Sequence, residues 1–189
     1  MNQSVFFKVA FVVLLALYPF VIYFGIQVLP PSFFGILLGV VLLLRFGIIP
    51  RSERATALPA IAVLLVYAVT AAIVGSTKLL LYYPVLVSLM LFTLFAASLR
   101  HEEPFLLRIV RATGMPISEH GPKYLTRLTA VWAVFFVING AIAIWTTWQT
   151  VEIWTLYNGL ISYLLAAALM LCELVFRRHY KRRMGVSSE

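Results

Sequence analysis

Two neighbouring stretches decide the fold: TAVWAVFFVINGAIAIWTTW, residues 129–148, and IWTLYNGLISYLLAAALMLCELVF, residues 153–176. Each is an almost unbroken apolar run of the length that crosses a hydrocarbon core as a helix, about 20 residues. Neither alternates apolar and polar residues over roughly 10 positions, as the strands of a membrane barrel do. Lipid offers no partner to a backbone N–H or C=O, so runs of this kind are helical.

Working outward, four more apolar stretches qualify, at 5–29, 33–49, 58–74 and 79–99. The spacing predicts an all-α polytopic membrane protein, a six-helix transmembrane bundle forming a single integral membrane domain over 1–189. The breaks are Pro30-Pro31-Ser32, Pro50-Arg51-Ser52-Glu53-Arg54, Gly75-Ser76-Thr77-Lys78 and Trp148-Gln149-Thr150-Val151-Glu152, residues that end helices cheaply. Composition agrees. Of 189 residues 62% are hydrophobic and only 12% charged, against about 25% charged in soluble domains. The mean hydropathy is +0.98. There is no aspartate, which removes paired-aspartate chemistry and aspartate-rich metal loops. The first stretch has Lys8 in the manner of a signal peptide. It runs too long, and no small-x-small cleavage site follows, so it reads as a retained span.

The net charge is +8, from 15 Lys+Arg against 7 Asp+Glu. Here the excess reads as the positive-inside signal and not as a nucleic-acid surface. Six spans place every Lys and Arg except Lys78 on one side: Lys8, Arg45, Arg51, Arg54, Arg100, Arg108, Arg111, Lys123, Arg127 and the tail 177–189. That side is expected to be cytoplasmic, with both termini inside. Tyr82, Tyr83, Trp145, Trp148 and Trp154 fall at the expected outer ends, and Tyr124 and Trp132 near the inner side, where amphipathic rings favour the headgroup level.

The one sizeable connection, 100–128, begins HEEPFLLRIVR. Acids, then Pro, then helix formers mark a helix start. Phe105, Leu106, Ile109 and Val110 share one face and Arg108 and Arg111 another, with Gly114 as the stop. This is a short amphipathic helix suited to the interface, and Arg108, Arg111, Lys123 and Arg127 are its candidate groups for lipid headgroups or an acidic partner. The last two spans each carry an Asn-Gly pair, Asn139-Gly140 and Asn158-Gly159. Asn139, Tyr157, Asn158 and Trp132 form either helix-packing contacts or a lipid or ligand pocket. Asn139 and Asn158 are placed to face each other across the hairpin. Arg45 and Glu173 are ionisable groups just inside span ends, which makes them functional candidates, and Glu173 is four residues from Arg177. Pro19 and Pro84, each after a Tyr, are expected to kink spans one and four. Gly35 and Gly39 form a GxxxG, a packing signal. Cys172, the only cysteine, reads as an apolar filler. His101, His120 and His179 are widely spaced and Glu119-His120 stands alone. No catalytic set emerges, and neither a cofactor nor a metal is expected.

The second half resembles a family of small bacterial inner-membrane proteins encoded beside fatty-acid-synthase-like genes for aryl polyene (xanthomonadin-type) pigments. The resemblance rests on Tyr83-Pro84-Val85-Leu86-Val87, Ser98-Leu99, Arg108-Ile109-Val110-Arg111, Tyr124-Leu125-Thr126-Arg127 and Trp132. It continues through Phe135 to Gly140, Trp154 to Tyr163, Glu173 and Arg177-Arg178, and covers slightly over half the chain. The chain is also loosely similar to the intracellular septation protein A family. The aryl polyene resemblance implies a bacterial inner membrane and a place in envelope lipid or pigment assembly. It also implies a partner for the basic face, an acidic acyl carrier protein. Three functions remain open: a non-enzymatic scaffold or lipid-handover component, a small transporter or flippase, for which six short spans suit a homo-dimer, and a membrane acyltransferase.

Overall fold

The structure, a computed structural model, describes residues 17–49, 51–114 and 121–183, leaving out the side chains of Ser52, Glu53, Thr56 and 176–183. Among these residues there is no strand. Helices run over Tyr18–Gly25 (α1), Pro31–Ile48 (α2), Arg51–Val74 (α3), Thr77–Leu81 (α4), Tyr83–Ser98 (α5), Phe105–Ala112 (α6), Gly121–Thr146 (α7) and Val151–Leu156 (α8). A π turn at Tyr157–Ile161 then leads into α9, Ser162–Arg183. Five segments are long and apolar enough to cross a membrane: Pro31–Ile48, Ala57–Val74, Thr77–Ser98, Gly121–Thr146 and Val151–Val175. They match the second to sixth expected spans. Of the first, only the end is described, as α1; Lys8 and Pro50 lie outside the described residues, as do Glu119 and His120.

The turn residues do what their chemistry requires. Pro31 begins α2, where its missing N–H is one of the orphans of any helix start. Gly75 turns the chain at φ +60° and Gly114 at φ +70°, both left-handed. Thr150 caps α8, its side chain accepting from the Ile153 N–H. Pro19 and Pro84 sit in the first turns of α1 and α5 rather than mid-helix. The fourth span is therefore two helices, α4 and α5, joined at Tyr82. Helix α7 starts eight residues before the expected span, so Lys123 and Arg127 stand on its first two turns and not in a loop.

Close approach holds α2 to α3. A Cβ on Gly35 would lie 2.3 Å from the Ala72 nitrogen and 2.8 Å from the Ala68 oxygen. Phe34, Leu38 and Leu42 of α2 and Leu64, Ala68 and Ala71 of α3 are buried there, in one core with Tyr18, Ile22, Leu80, Leu81, Tyr83 and Trp154. A second pairing sets α5 on α7. Gly140 faces Ser88, with 3.2 Å from the place of its missing Cβ to the serine Cβ, and Phe95 meets Phe136 edge-on at 5.3 Å. Outside these seams the helices are apolar and open, with Ile73 79% and Val175 67% exposed. An exterior of that kind is at home in lipid and a liability in water.

The chain direction sorts the charges. Ser32 lies beside Gly75 and Trp154 beside Leu81, so the turns before α2, before α4 and before α8 share one end, which carries Lys78. The opposite end holds Arg54, which donates to the carbonyls of Ile49 and Gly47 and lies over the Phe46 ring. It also holds α6, Lys123 and Arg127.

Candidate functional sites

The interruption of the fourth span builds the first polar site. Pro84 has no N–H to give to the Leu80 carbonyl, and the turn at Tyr82 disturbs the ladder on either side. Three aromatic side chains from other helices reach the carbonyls at the break, among which Leu79 O also accepts from the Tyr82 N–H at 3.1 Å. Tyr67 Oη donates to Leu79 O at 2.7 Å and also reaches Leu80 O at 3.3 Å. Tyr18 Oη lies 3.4 Å from Leu80 O. Trp154 Nε1 donates to Leu81 O at 2.9 Å from a fully buried position. The Tyr18 and Tyr83 rings pack at 4.2 Å. A carbonyl left bare here would cost about 1–3 kcal/mol, so α1, α3 and α8 are bound to the break by need. Pro84 was the legible signal for this site; its partners were not.

The two Asn-Gly pairs build the second. Asn139 Nδ2 donates to Ser88 Oγ at 3.1 Å, and Tyr157 Oη donates to Asn139 Oδ1 at 3.0 Å, which ties α5, α7 and the π turn together. Asn158 is buried and turns the other way. Its Nδ2 donates to Thr146 Oγ1 at 3.0 Å and to the Trp154 carbonyl at 2.9 Å. The two asparagines therefore each bind the hairpin partner helix but do not face each other. The wide π turn aims the consecutive Tyr157 and Asn158 at different parts of α7. Gly159 admits Phe20 of α1, whose ring comes within 2.9 Å of the missing Cβ. Trp132 is not part of this cluster. It packs beside Phe135 and Phe136 with ring centroids at 5.6 and 5.8 Å.

The third site is the amphipathic helix α6, found at Phe105–Ala112. Ser98 Oγ accepts from the Phe105 N–H at 3.0 Å and donates to Phe95 O at 2.7 Å, so a serine closing α5 also caps α6. Leu107 is 2% exposed and the Phe105 ring lies 4.8 Å from Phe95. The side that packs down is set by Leu107, which is outside the expected stripe of Phe105, Leu106, Ile109 and Val110, and Ile109 is left 44% exposed; Arg108 and Arg111 are exposed. Arg111 is ion-paired with Glu103, and Arg108 donates to the Glu103 carbonyl. Lys123 and Arg127 are exposed on α7, against which α6 rests.

Arg45 is half-buried in the last turn of α2, where a cation suits the helix dipole. Glu173 accepts from Tyr124 Oη at 3.0 Å, joining α9 to α7. The Arg177 side chain, its spacing partner, lies outside the described residues. Among the described residues no three His, Cys, Asp or Glu side chains gather as metal ligands would. Comparison with family models, with curated proteins and with solved structures finds no match to this chain.

Proposed function

We propose that this chain is a six-span accessory protein of the bacterial inner membrane, with both termini cytoplasmic, that docks an acidic acyl carrier protein and passes a lipid-like product to the bilayer. The observation that carries the reading is the seating of α6. A helix pinned by Leu107 and Phe105 at the end of the bundle presents Arg108 outward, with Lys123 and Arg127 exposed on the helix beneath it. A rigid basic face speeds and orients the encounter with an acidic protein, and Arg can grip the phosphate of a phosphopantetheine arm bidentately. The resemblance to the aryl polyene family supports the same direction. A transport route past Asn158 and Tyr157 is the weaker reading, because both are buried and engaged with α7.

The test is binding of an acyl carrier protein to the purified chain in nanodiscs of zwitterionic lipid. Binding is expected at about 0.01 M salt, where the Debye length is about 30 Å, and should fall at least about tenfold at about 1 M salt, where it is about 3 Å. The triple substitution Arg108→Ala, Lys123→Ala, Arg127→Ala should abolish it. Absence of binding at low ionic strength contradicts the reading.

A further inference from the structure

Polar atoms inside a membrane bundle find partners within the protein, since lipid supplies none. Two that do not are three residues apart, where α8 runs into the π turn. Thr155 Oγ1 and Asn158 Oδ1 are buried with no hydrogen-bond partner among the described residues, and their residues are 6% and 3% exposed. Leu156 and Tyr157 between them keep right-handed helical backbone, and on such backbone a spacing of three brings the two Cβ atoms to about 5–6 Å.

The orientation of the Asn158 amide is fixed by its surroundings. Its nitrogen donates to the Trp154 carbonyl, which only accepts, and to Thr146 Oγ1, whose own hydrogen goes to Ala143 O at 2.7 Å. Turning the amide over would set its oxygen against the Trp154 carbonyl, acceptor facing acceptor. Asn158 Oδ1 is therefore an acceptor in need of a donor. The Thr155 hydroxyl, three residues earlier, is not hydrogen-bonded to it and can itself give or take a hydrogen bond.

We propose that Thr155 and Asn158 form a binding site for one neutral hydroxyl group, which donates to Asn158 Oδ1 and exchanges a second hydrogen bond with Thr155 Oγ1. The donor set is an amide and a hydroxyl, without a charge to balance an ion, and an uncompensated charge is strongly disfavoured at a buried position. Depth agrees with a hydroxyl. Thr155 is the fifth residue of α8, about 6 Å along the helix axis from its start, within reach of water or of a glycerol-type headgroup at that end of the bundle. The site is separate from the basic face at the opposite end, so its fate does not bear on carrier-protein docking.

Thr155→Val keeps the shape and removes the oxygen. With the site filled, the variant loses a satisfied hydrogen bond and its melting midpoint drops by about 2–4 °C in a chain of this size, while Thr155→Ser restores it. With the site empty, the variant sheds an orphan polar group and melts at the wild-type temperature or above, which overturns the proposal. Density for the wild-type chain in nanodiscs gives an independent reading. A peak within hydrogen-bond distance of both oxygens is expected, and a clear map with nothing there overturns the proposal. A compact isolated peak that survives delipidation assigns the hydroxyl to water. Density continuous with an acyl chain, with a glycerolipid retained in native mass spectrometry and lost in Thr155→Val, assigns it to lipid.

Discussion

Gly35 and Gly39 belong to one GxxxG motif, yet alanine at the two positions should act in opposite directions. At Gly35 the new Cβ would fall 2.3 Å from the backbone nitrogen of Ala72 and 2.8 Å from the carbonyl oxygen of Ala68, distances that Cβ atoms essentially never show. Neither neighbour is the end of a flexible side chain, so relief requires α2 to move off α3 and strips contacts from Phe34, Leu38, Ala68 and Ala71. Overpacking of this kind costs roughly 1–3 kcal/mol, and more where the backbone resists. The better helix propensity of alanine returns at most about 1 kcal/mol. A net loss of about 2 kcal/mol corresponds to a midpoint lower by roughly 4–8 °C. At Gly39 the nearest atom is Ala68 Cβ at 3.9 Å, an ordinary contact. Only the propensity gain remains there, so the midpoint should hold or rise by about 2–4 °C. Tryptophan fluorescence during thermal unfolding in detergent reads both, because Trp154 is fully buried in the shared core. If Gly35→Ala melts at or above the wild-type temperature, or if the two variants respond alike, the α2–α3 seam is not as described.

Trp154→Phe keeps a ring in the core but leaves the Leu81 carbonyl without its donor, at a cost of about 1–3 kcal/mol; circular dichroism melts that overlay the wild type would contradict this. In a double-mutant cycle, Tyr157→Phe and Asn139→Leu should couple by about 0.6 kcal/mol and no more than about 1.7, while additivity would mean that their hydrogen bond contributes nothing. Leu107→Ala should weaken the seating of α6 by about 2–5 kcal/mol and open residues 105–114 to protease, whereas Arg108→Ala should leave cleavage unchanged. Equal cleavage in both variants would show that α6 is not held by its apolar face.

The coarse architecture was legible because each span is a single physical requirement met by one contiguous run of residues. Residues 129–148 needed no partner to be read as a long apolar helix, and Phe105–Ala112 was legible as a short helix, whereas the side it buries, at Leu107, depends on Phe95 and α7 and was not. Long-range contacts were less legible. Pro84 announced a disturbed ladder, but Tyr18, Tyr67 and Trp154, which answer the freed carbonyls, lie 62, 12 or 13, and 73 residues away from them in sequence. The asparagines were legible as polar groups inside apolar runs. Their partners depended on a π turn that no local propensity marks, and it turned Asn158 toward Thr146. Helix α7 extends eight residues ahead of the apolar run that starts at 129, because long basic side chains such as Lys123 and Arg127 sit easily on an exposed first turn.

The orientation proposed above puts the basic end of a bilayer-spanning chain in the cytoplasm. Single cysteines at Thr113 and Gln149, each in a Cys172→Ser background, test it with a membrane-impermeant maleimide. Gln149→Cys should label in intact cells and Thr113→Cys only after permeabilisation. Labelling of both from the same side, or of Thr113→Cys alone in intact cells, would contradict it.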